Sequence, residues 1–283
     1  TVLMIGVDYN AVDRVAGLLR KTSVELDKLD LFDERYYPPR DMDTEIVLRY
    51  FIVMVAMDHR LSRPSKPYEA CLSDGCYHGA DLLYRLGCLK LLEDPEFFSP
   101  EKLAEITIDE VREWLSVGDV QPVDVEIRTY LLRDLGVKLL KLYNGSVSEL
   151  VKRSNNRVKG DLLNPGLVDN LKVFKAFEDP VEKKAMLFAK FIIERGLFKP
   201  VDQPDVAVDN HLTRISYRLG LVMVSGDLWR KIKEGVEVSV EEDVLLRLVV
   251  RRAYRELASK SRLDSCLIDD YFWIMGRTIC IRD

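Results

Sequence analysis

Apolar residues recur three and four positions apart along nearly the whole chain, while strict two-residue alternation is nearly absent, so the pattern predicts an all-α fold. From Asn10 to about Asp30, Val12, Val15, Leu18, Leu19 and Leu26 fall on one helical face, with Asn10 placed to cap it. Asp43 to about His59 carries a broad apolar stripe (Ile46, Val47, Tyr50, Phe51, Met54, Met57) and reads as a central core helix that Asp58 and His59 close. Asp74–Gly75 is a turn signal, after which Tyr77 to Leu92 reads as the next helix. Ser99 before Pro100, and Thr107 with Glu110 three residues on, open two shorter helices; Val123 to Tyr143 makes a long one. Ser146 with Glu149, and Ser239 with Glu242, repeat the capping-box spacing.

Two further stretches complete the pattern. Pro180 opens an apolar helical run beginning Glu182-Lys183-Lys184-Ala185, which Gly196 and Pro200 end. Pro204 to Val208 reads as an extended approach to Asp209, behind which Leu212, Ile215 and Leu219 recur at helical spacing. Asp209 is therefore a carboxylate at a helix N-terminus, and on local features alone it is a cap worth ~1 kcal/mol. Ser225 to Glu234, Ser239 to about Ala258 and Leu263 to Cys280 supply the last helices. With no internal repeat and no flexible linker, residues 1–283 read as a single compact domain of two closely joined helical lobes with a cleft.

The residues around Asp209 carry a resemblance. Val208, Asp209, His211 and Arg214, followed by Arg218-Leu219-Gly220, resemble the catalytic segment of the helix-hairpin-helix DNA glycosylases, where the Asp stabilises the sugar cation left when an N-glycosidic bond breaks. A lysine near the start of an upstream helix, and a closing helix like Asp269-Asp270-Tyr271-Phe272-Trp273 with Gly276-Arg277, belong to the same pattern. A longer resemblance, to the queuosine salvage proteins (queuosine 5′-phosphate N-glycosylases), runs through Met57-Asp58-His59, Cys76-Tyr77-His78-Gly79, Thr107 to Asp119, Tyr143-Asn144-Gly145-Ser146, Phe177 to Met186 and the Asp209 and Trp273 regions. The chain departs from that family in having no aromatic-rich run after His59, and Val208-Asp209-Asn210-His211 where the family has Ala-Asp-Tyr-Arg. Gly276 to Cys280 resembles the start of the iron–sulfur motif of endonuclease III, but the other three cysteines are not there and no cluster is expected.

Composition narrows the partners. With 47% hydrophobic residues in 283, the chain can bury a substantial core, and charges interrupt every apolar run before the ~20 residues a membrane span needs. The apolar start that Asp8 ends lacks a preceding basic region and is a poor secretory signal. A net charge of −5 argues against long duplex contacts, so any nucleic-acid surface is a local basic patch. Five scattered cysteines read as buried thiols of a reducing cytoplasm, and Cys71 with Cys76 lacks the second pair of a zinc site.

Breaking an N-glycosidic bond develops positive charge on the sugar, which a fixed carboxylate stabilises, and Asp209 is the candidate. Lys183 and Lys184 both stand where a catalytic or phosphate-binding lysine belongs, against the plain reading of two solvated first-turn cations; the DNA glycosylase resemblance favours Lys184 and the salvage resemblance Lys183. Tyr77, His78 and Trp273 can stack on a base, although Trp273 also reads as core packing. Asp58, unfavourable at a helix C-terminus, reads either as a ligand for the polar edge of a base or as a hydrogen-bonded structural acid; Asp269 and Tyr271 read as structural, with Asp269 in support of Asp209. With these residues, the resemblance to the queuosine salvage proteins implies an N-glycosidase acting on a modified nucleoside or its 5′-phosphate, without cofactor or metal. A DNA glycosylase with lyase activity and a non-catalytic helical binding protein are the alternatives.

Overall fold

The computed structural model describes residues 5–22 and 25–281. In chain order its elements are β1 (Ile5–Val7), α1 (Tyr9–Lys21), α2 (Thr44–Met57), β2 (Glu69–Leu72), β3 (Gly75–His78), α3 (Ala80–Glu93), α4 (Pro100–Glu105), α5 (Ile108–Leu115), α6 (Val125–Tyr143), α7 (Val147–Lys152), α8 (Leu167–Leu171), α9 (Lys183–Glu194), α10 (Asn210–Arg218), β4 (Val222–Val224), α11 (Gly226–Glu234), α12 (Val240–Ser261) and α13 (Ser265–Thr278). The fold is predominantly helical, as the periodicity predicts, and no described helix is long and apolar enough to cross a membrane.

Several expectations need correction. Two short antiparallel pairs interrupt the all-α reading: β1 with β4, and the hairpin β2–β3. Tyr77 and His78 lie in β3, so α3 starts later than the periodicity implies; the apolar Tyr77 faces inward across the hairpin rather than down a helix. Asp8, not Asn10, caps α1 by accepting from the Ala11 amide at 3.0 Å, and α1 ends at Lys21 well short of Asp30. Of the apolar start, Ile5–Val7 forms β1, while Thr1–Met4 lie outside the described residues. Cys71 and Cys76, expected as thiols, sit directly opposite one another in the hairpin and form a disulfide. Ser146 caps α7 as expected, but Glu149 turns to Arg153, and Glu45 of α2 instead receives the Val147 and Ser148 amides at 2.7 and 2.8 Å.

The chain divides into two units. One comprises residues 30–178 and 187–202. Its centre is α2, whose residues from Tyr50 to Met57 are all buried, with the rings of Tyr37, Phe51, Tyr84 and Phe191 meeting at centroid distances of 5.5 to 6.0 Å. Arg128 of α6 is fully buried and donates to the carbonyl of Met57, the last residue of α2, and to the loop carbonyls of Arg60 and Val123, so it ties the C-terminal end of α2 to the segments beside it. Burial pushes its guanidinium pKa down to about 10.

The other unit comprises residues 1–29, 179–186 and 203–283. Its core draws Val12 and Ala16 from α1, Val181, the approach residues Val206 and Val208, Leu212 and Ile215 from α10, Val250, Tyr254 and Leu257 from α12, and Ile268 and Phe272 from α13. The division runs through α9, whose first residues, Lys183 to Met186, count with this unit.

Close approach of α4 to α6 depends on Gly136, where a Cβ would lie 2.5 Å from the Ala104 amide nitrogen and 2.6 Å from the Pro100 carbonyl oxygen. Backbone atoms cannot swing aside, so Gly136→Ala is expected to lower stability by ~1–3 kcal/mol as an overpacking defect. Urea denaturation checks this; an unchanged midpoint would mean the two helices separate freely.

Candidate functional site

Asp209 takes extended backbone geometry as the N-cap of α10, and its Oδ1 accepts from the Leu212 amide at 2.9 Å. Among the described residues Oδ2 accepts no hydrogen bond, so the cap uses one oxygen of a half-buried carboxylate and leaves the other. Val208 before it and Leu212 after it are buried, which fixes the backbone on both sides. Two residues upstream, the Ala207 amide donates to Asp269 of α13 at 2.6 Å, so Asp269 supports the Asp209 segment through its backbone.

One turn along α10, His211 and Arg214 meet α13. The His211 ring stands edge-on to Trp273 at 6.1 Å, and the Arg277 guanidinium lies 4.5 Å from the Trp273 ring centre. Arg214 donates to the Gly276 and Cys280 carbonyls at 2.9 and 3.0 Å and lies 3.0 Å from His211 Nδ1. Arginine can only donate, so Nδ1 is the acceptor in that contact. Burial lowers the His211 pKa, Asp209 opposes that, and the charges of Arg214 and Arg277 add to it. The neutral ring therefore dominates at pH 7. Gly276 makes the contact possible, since a Cβ there would lie 2.8 Å from His211 Cβ. Trp273 is half-buried, packed against the core of its unit with the Arg277 guanidinium over its ring.

The start of α9 is held from α12. Arg247, Arg251 and Arg255 recur at helical spacing and so share one face. Arg247 grips both oxygens of Asp179 at 2.9 and 3.2 Å; Arg251 donates to Glu182 at 3.0 Å and to the Val181 carbonyl at 2.9 Å; Arg255 takes Asp205 through two bonds of 2.8 Å. Arg251 also lies 3.7 Å from Asp205, so a single guanidinium ties the residue before Lys183 to the approach to Asp209. Asp179 in turn accepts from the Val181 and Lys183 amides at 3.1 and 3.3 Å. Burial works against the Asp179 charge, but Arg247 and these amides hold its pKa below the usual carboxylate value. Glu182 has φ of +62°, a left-handed conformation that costs a non-glycine residue ~1–2 kcal/mol, directly before the two lysines.

Lys183 and Lys184 are both half-buried rather than fully solvated. The structure thus gathers Asp209, Trp273 and the start of the lysine helix in one unit. Asp58, Tyr77 and His78 belong to the other. Asp58 caps α2 and accepts from the Tyr84 hydroxyl at 3.0 Å. Tyr77 is buried, edge-on to Tyr36, with its hydroxyl on Asp74 at 3.1 Å; His78 is exposed. Sequence reasoning missed the three arginines, whose i, i+4 spacing is equally that of a solvated helix face, and it missed Arg128. Among the described residues no group of three or more His, Cys, Asp or Glu side chains is arranged to hold a metal ion.

No family model matches the chain. Over 169 residues it is 27% identical to a queuosine 5′-phosphate N-glycosylase/hydrolase of Dictyostelium discoideum. The match spans 56% of this chain and about half (51%) of that protein's length. The backbone is also similar to a trapped endonuclease III–DNA covalent intermediate, with a TM-score of 0.48 and 16% identity over 97% of this chain and 87% of that one.

The arginine face gives an unequal pair of stability effects. Asp205→Ala leaves Arg255 without its acid and Arg251 with Glu182, and empties a site where the Asp205 side chain is only 4% exposed, so it is expected to cost ~3–5 kcal/mol. Arg255→Ala removes a partner that is itself 53% exposed and leaves Asp205 with Arg251 at 3.7 Å, so it should cost less, ~1–2 kcal/mol. Denaturant titration of both variants is the check, and equal losses would contradict the burial argument.

Proposed function

We propose that the chain is an N-glycosidase that hydrolyses the base–ribose bond of a modified nucleoside 5′-phosphate. The observation that carries this reading is the half-buried Asp209 carboxylate, with one oxygen on the Leu212 amide and the other without a protein hydrogen bond among the described residues. The similarity to the Dictyostelium glycosylase/hydrolase supports the same class of reaction.

In the reaction so assigned, the C1′–N bond breaks with its electron pair leaving on the base, which takes up a proton. The positive charge left on C1′ and the ring oxygen is stabilised by the fixed Asp209 charge, which needs no reorganisation because its helix already holds it. Water then adds to C1′ and gives its proton to the carboxylate, yielding free base and ribose 5-phosphate. Lys183 or Lys184 supplies positive charge for the phosphate, and Trp273 an apolar face for the base.

Charge supports a mononucleotide over a duplex. A helix N-terminus binds phosphate through bare amides, but the Lys183 amide at the head of α9 already donates to Asp179, which Arg247 neutralises. The Val181 amide donates to Asp179 as well, so this end of the lysine helix offers a phosphate fewer bare donors, and Glu178 beside it adds a negative charge. The Val208-Asp209-x-His211-x-x-Arg214 segment favours the second reading, a DNA glycosylase.

Asp209→Asn keeps a capping side chain and so should keep the fold, while base release falls by at least ~10²-fold. Chromatography of the released base measures this, and near-normal turnover by the folded variant rules the assignment out. For the partner class, duplex DNA should bind no more tightly than the ~10⁻⁴–10⁻⁶ M of non-specific association at physiological salt, with affinity falling steeply as salt rises. Tight duplex binding that persists at that salt would favour the DNA glycosylase.

A further inference from the structure

The β2–β3 hairpin carries a cluster of side chains to which the proposed reaction gives no step. In its register Glu69 pairs with His78 and Cys71 with Cys76, while Ala70–Tyr77 and Leu72–Gly75 alternate between them. Side chains alternate across a strand, so Glu69, Cys71, Cys76 and His78 share one face, and all four are exposed, whereas Tyr77 on the opposite face is buried. Cross-strand neighbours stand ~5 Å apart and next-but-one residues along a strand ~7 Å apart, which puts four ligand-capable side chains on a compact grid. Neither Glu69 nor His78 has a side-chain partner among the described residues. The two sulfurs are bonded to each other, which blocks any joint use of the four groups as metal ligands.

We propose that reduction of the Cys71–Cys76 disulfide opens a metal site on this hairpin face, in which the two thiolates and the His78 imidazole bind a thiolate-preferring divalent ion such as Zn²⁺, with Glu69 or water in the fourth position. A dithiol reductant gives two electrons and two protons to the disulfide and is itself oxidised to a disulfide; the two thiols so formed lose their protons as they bind the metal. Two sulfurs and one nitrogen with an oxygen fourth ligand is a donor set that tetrahedral zinc accepts. The hairpin thus has two exclusive closures, one covalent and one through the ion.

Cobalt(II) titrated into the full chain reports the site directly. After reduction with a phosphine and its removal under argon, one Co²⁺ per chain should bind with a sulfur-to-cobalt charge-transfer band and the visible bands of tetrahedral cobalt, and Zn²⁺ should displace it. The oxidised protein should show neither. Cys71→Ser should abolish the charge-transfer band of the pair. His78→Ala, at an exposed position where folding is not at stake, should weaken binding by more than the ~10–100-fold that loss of an outer-shell partner costs. Cys280→Ser should bind as the unaltered protein does. No charge-transfer band after reduction, a band that persists when Cys71 and Cys76 are both serine, or full affinity in His78→Ala would overturn the proposal.

Discussion

Three arginines on one face of α12 hold the candidate site together. Arg247, Arg251 and Arg255 pair with Asp179, Glu182 and Asp205, which come from the segment before the lysine helix and from the approach to Asp209. Both segments are short and irregular, and neither has a helix or sheet ladder of its own to fix it. Val181 and Val208 anchor them in a common core, and the guanidinium groups set their polar side. Buried ion pairs add little net stability over apolar packing but are costly to break from one side, so the contribution of this face is chiefly to position.

That positioning bears on the chemistry. A cap and a catalytic carboxylate make similar demands on their surroundings: both need a backbone that does not move and a charge that stays ionised near a helix N-terminus. Asp209 meets the first demand through buried neighbours and the Asp269 bond to Ala207, and the Leu212 amide orients its carboxylate. The left-handed Glu182 before the lysines is a strained residue that Arg251 and the Asp179 carbonyl hold in place. Strain kept at such a point is expected where a side chain must be presented at a set angle.

Much of this was legible locally. Helix spacing, the capping boxes at Thr107 and Ser239, and the cap at Asp209 depend on residues within one turn of each other, and the structure has all of them. The misses share a different cause. β1 finds its partner β4 near the other end of the chain, and three- or four-residue strands are too short for alternation to show. Asp74–Gly75 did signal the turn of the hairpin, but the apolar spacing beyond it matched a helix as well as a strand. Arg247, Arg251 and Arg255 find their acids 50 to 69 residues away, so nothing near them in sequence distinguishes a tether from a solvated stripe.

The central claim is hydrolysis at a mononucleotide with the lysine not bonded to the sugar. Borohydride reduction during turnover separates the two chemistries, because only a lysine Schiff base on C1′ is converted to a stable adduct. The protein should release free base from a nucleoside 5′-phosphate and, incubated with abasic duplex DNA and borohydride, should yield no covalent protein–DNA species. A trapped adduct that disappears in Lys183→Gln or Lys184→Gln would contradict the account and assign the chain a lyase mechanism on DNA.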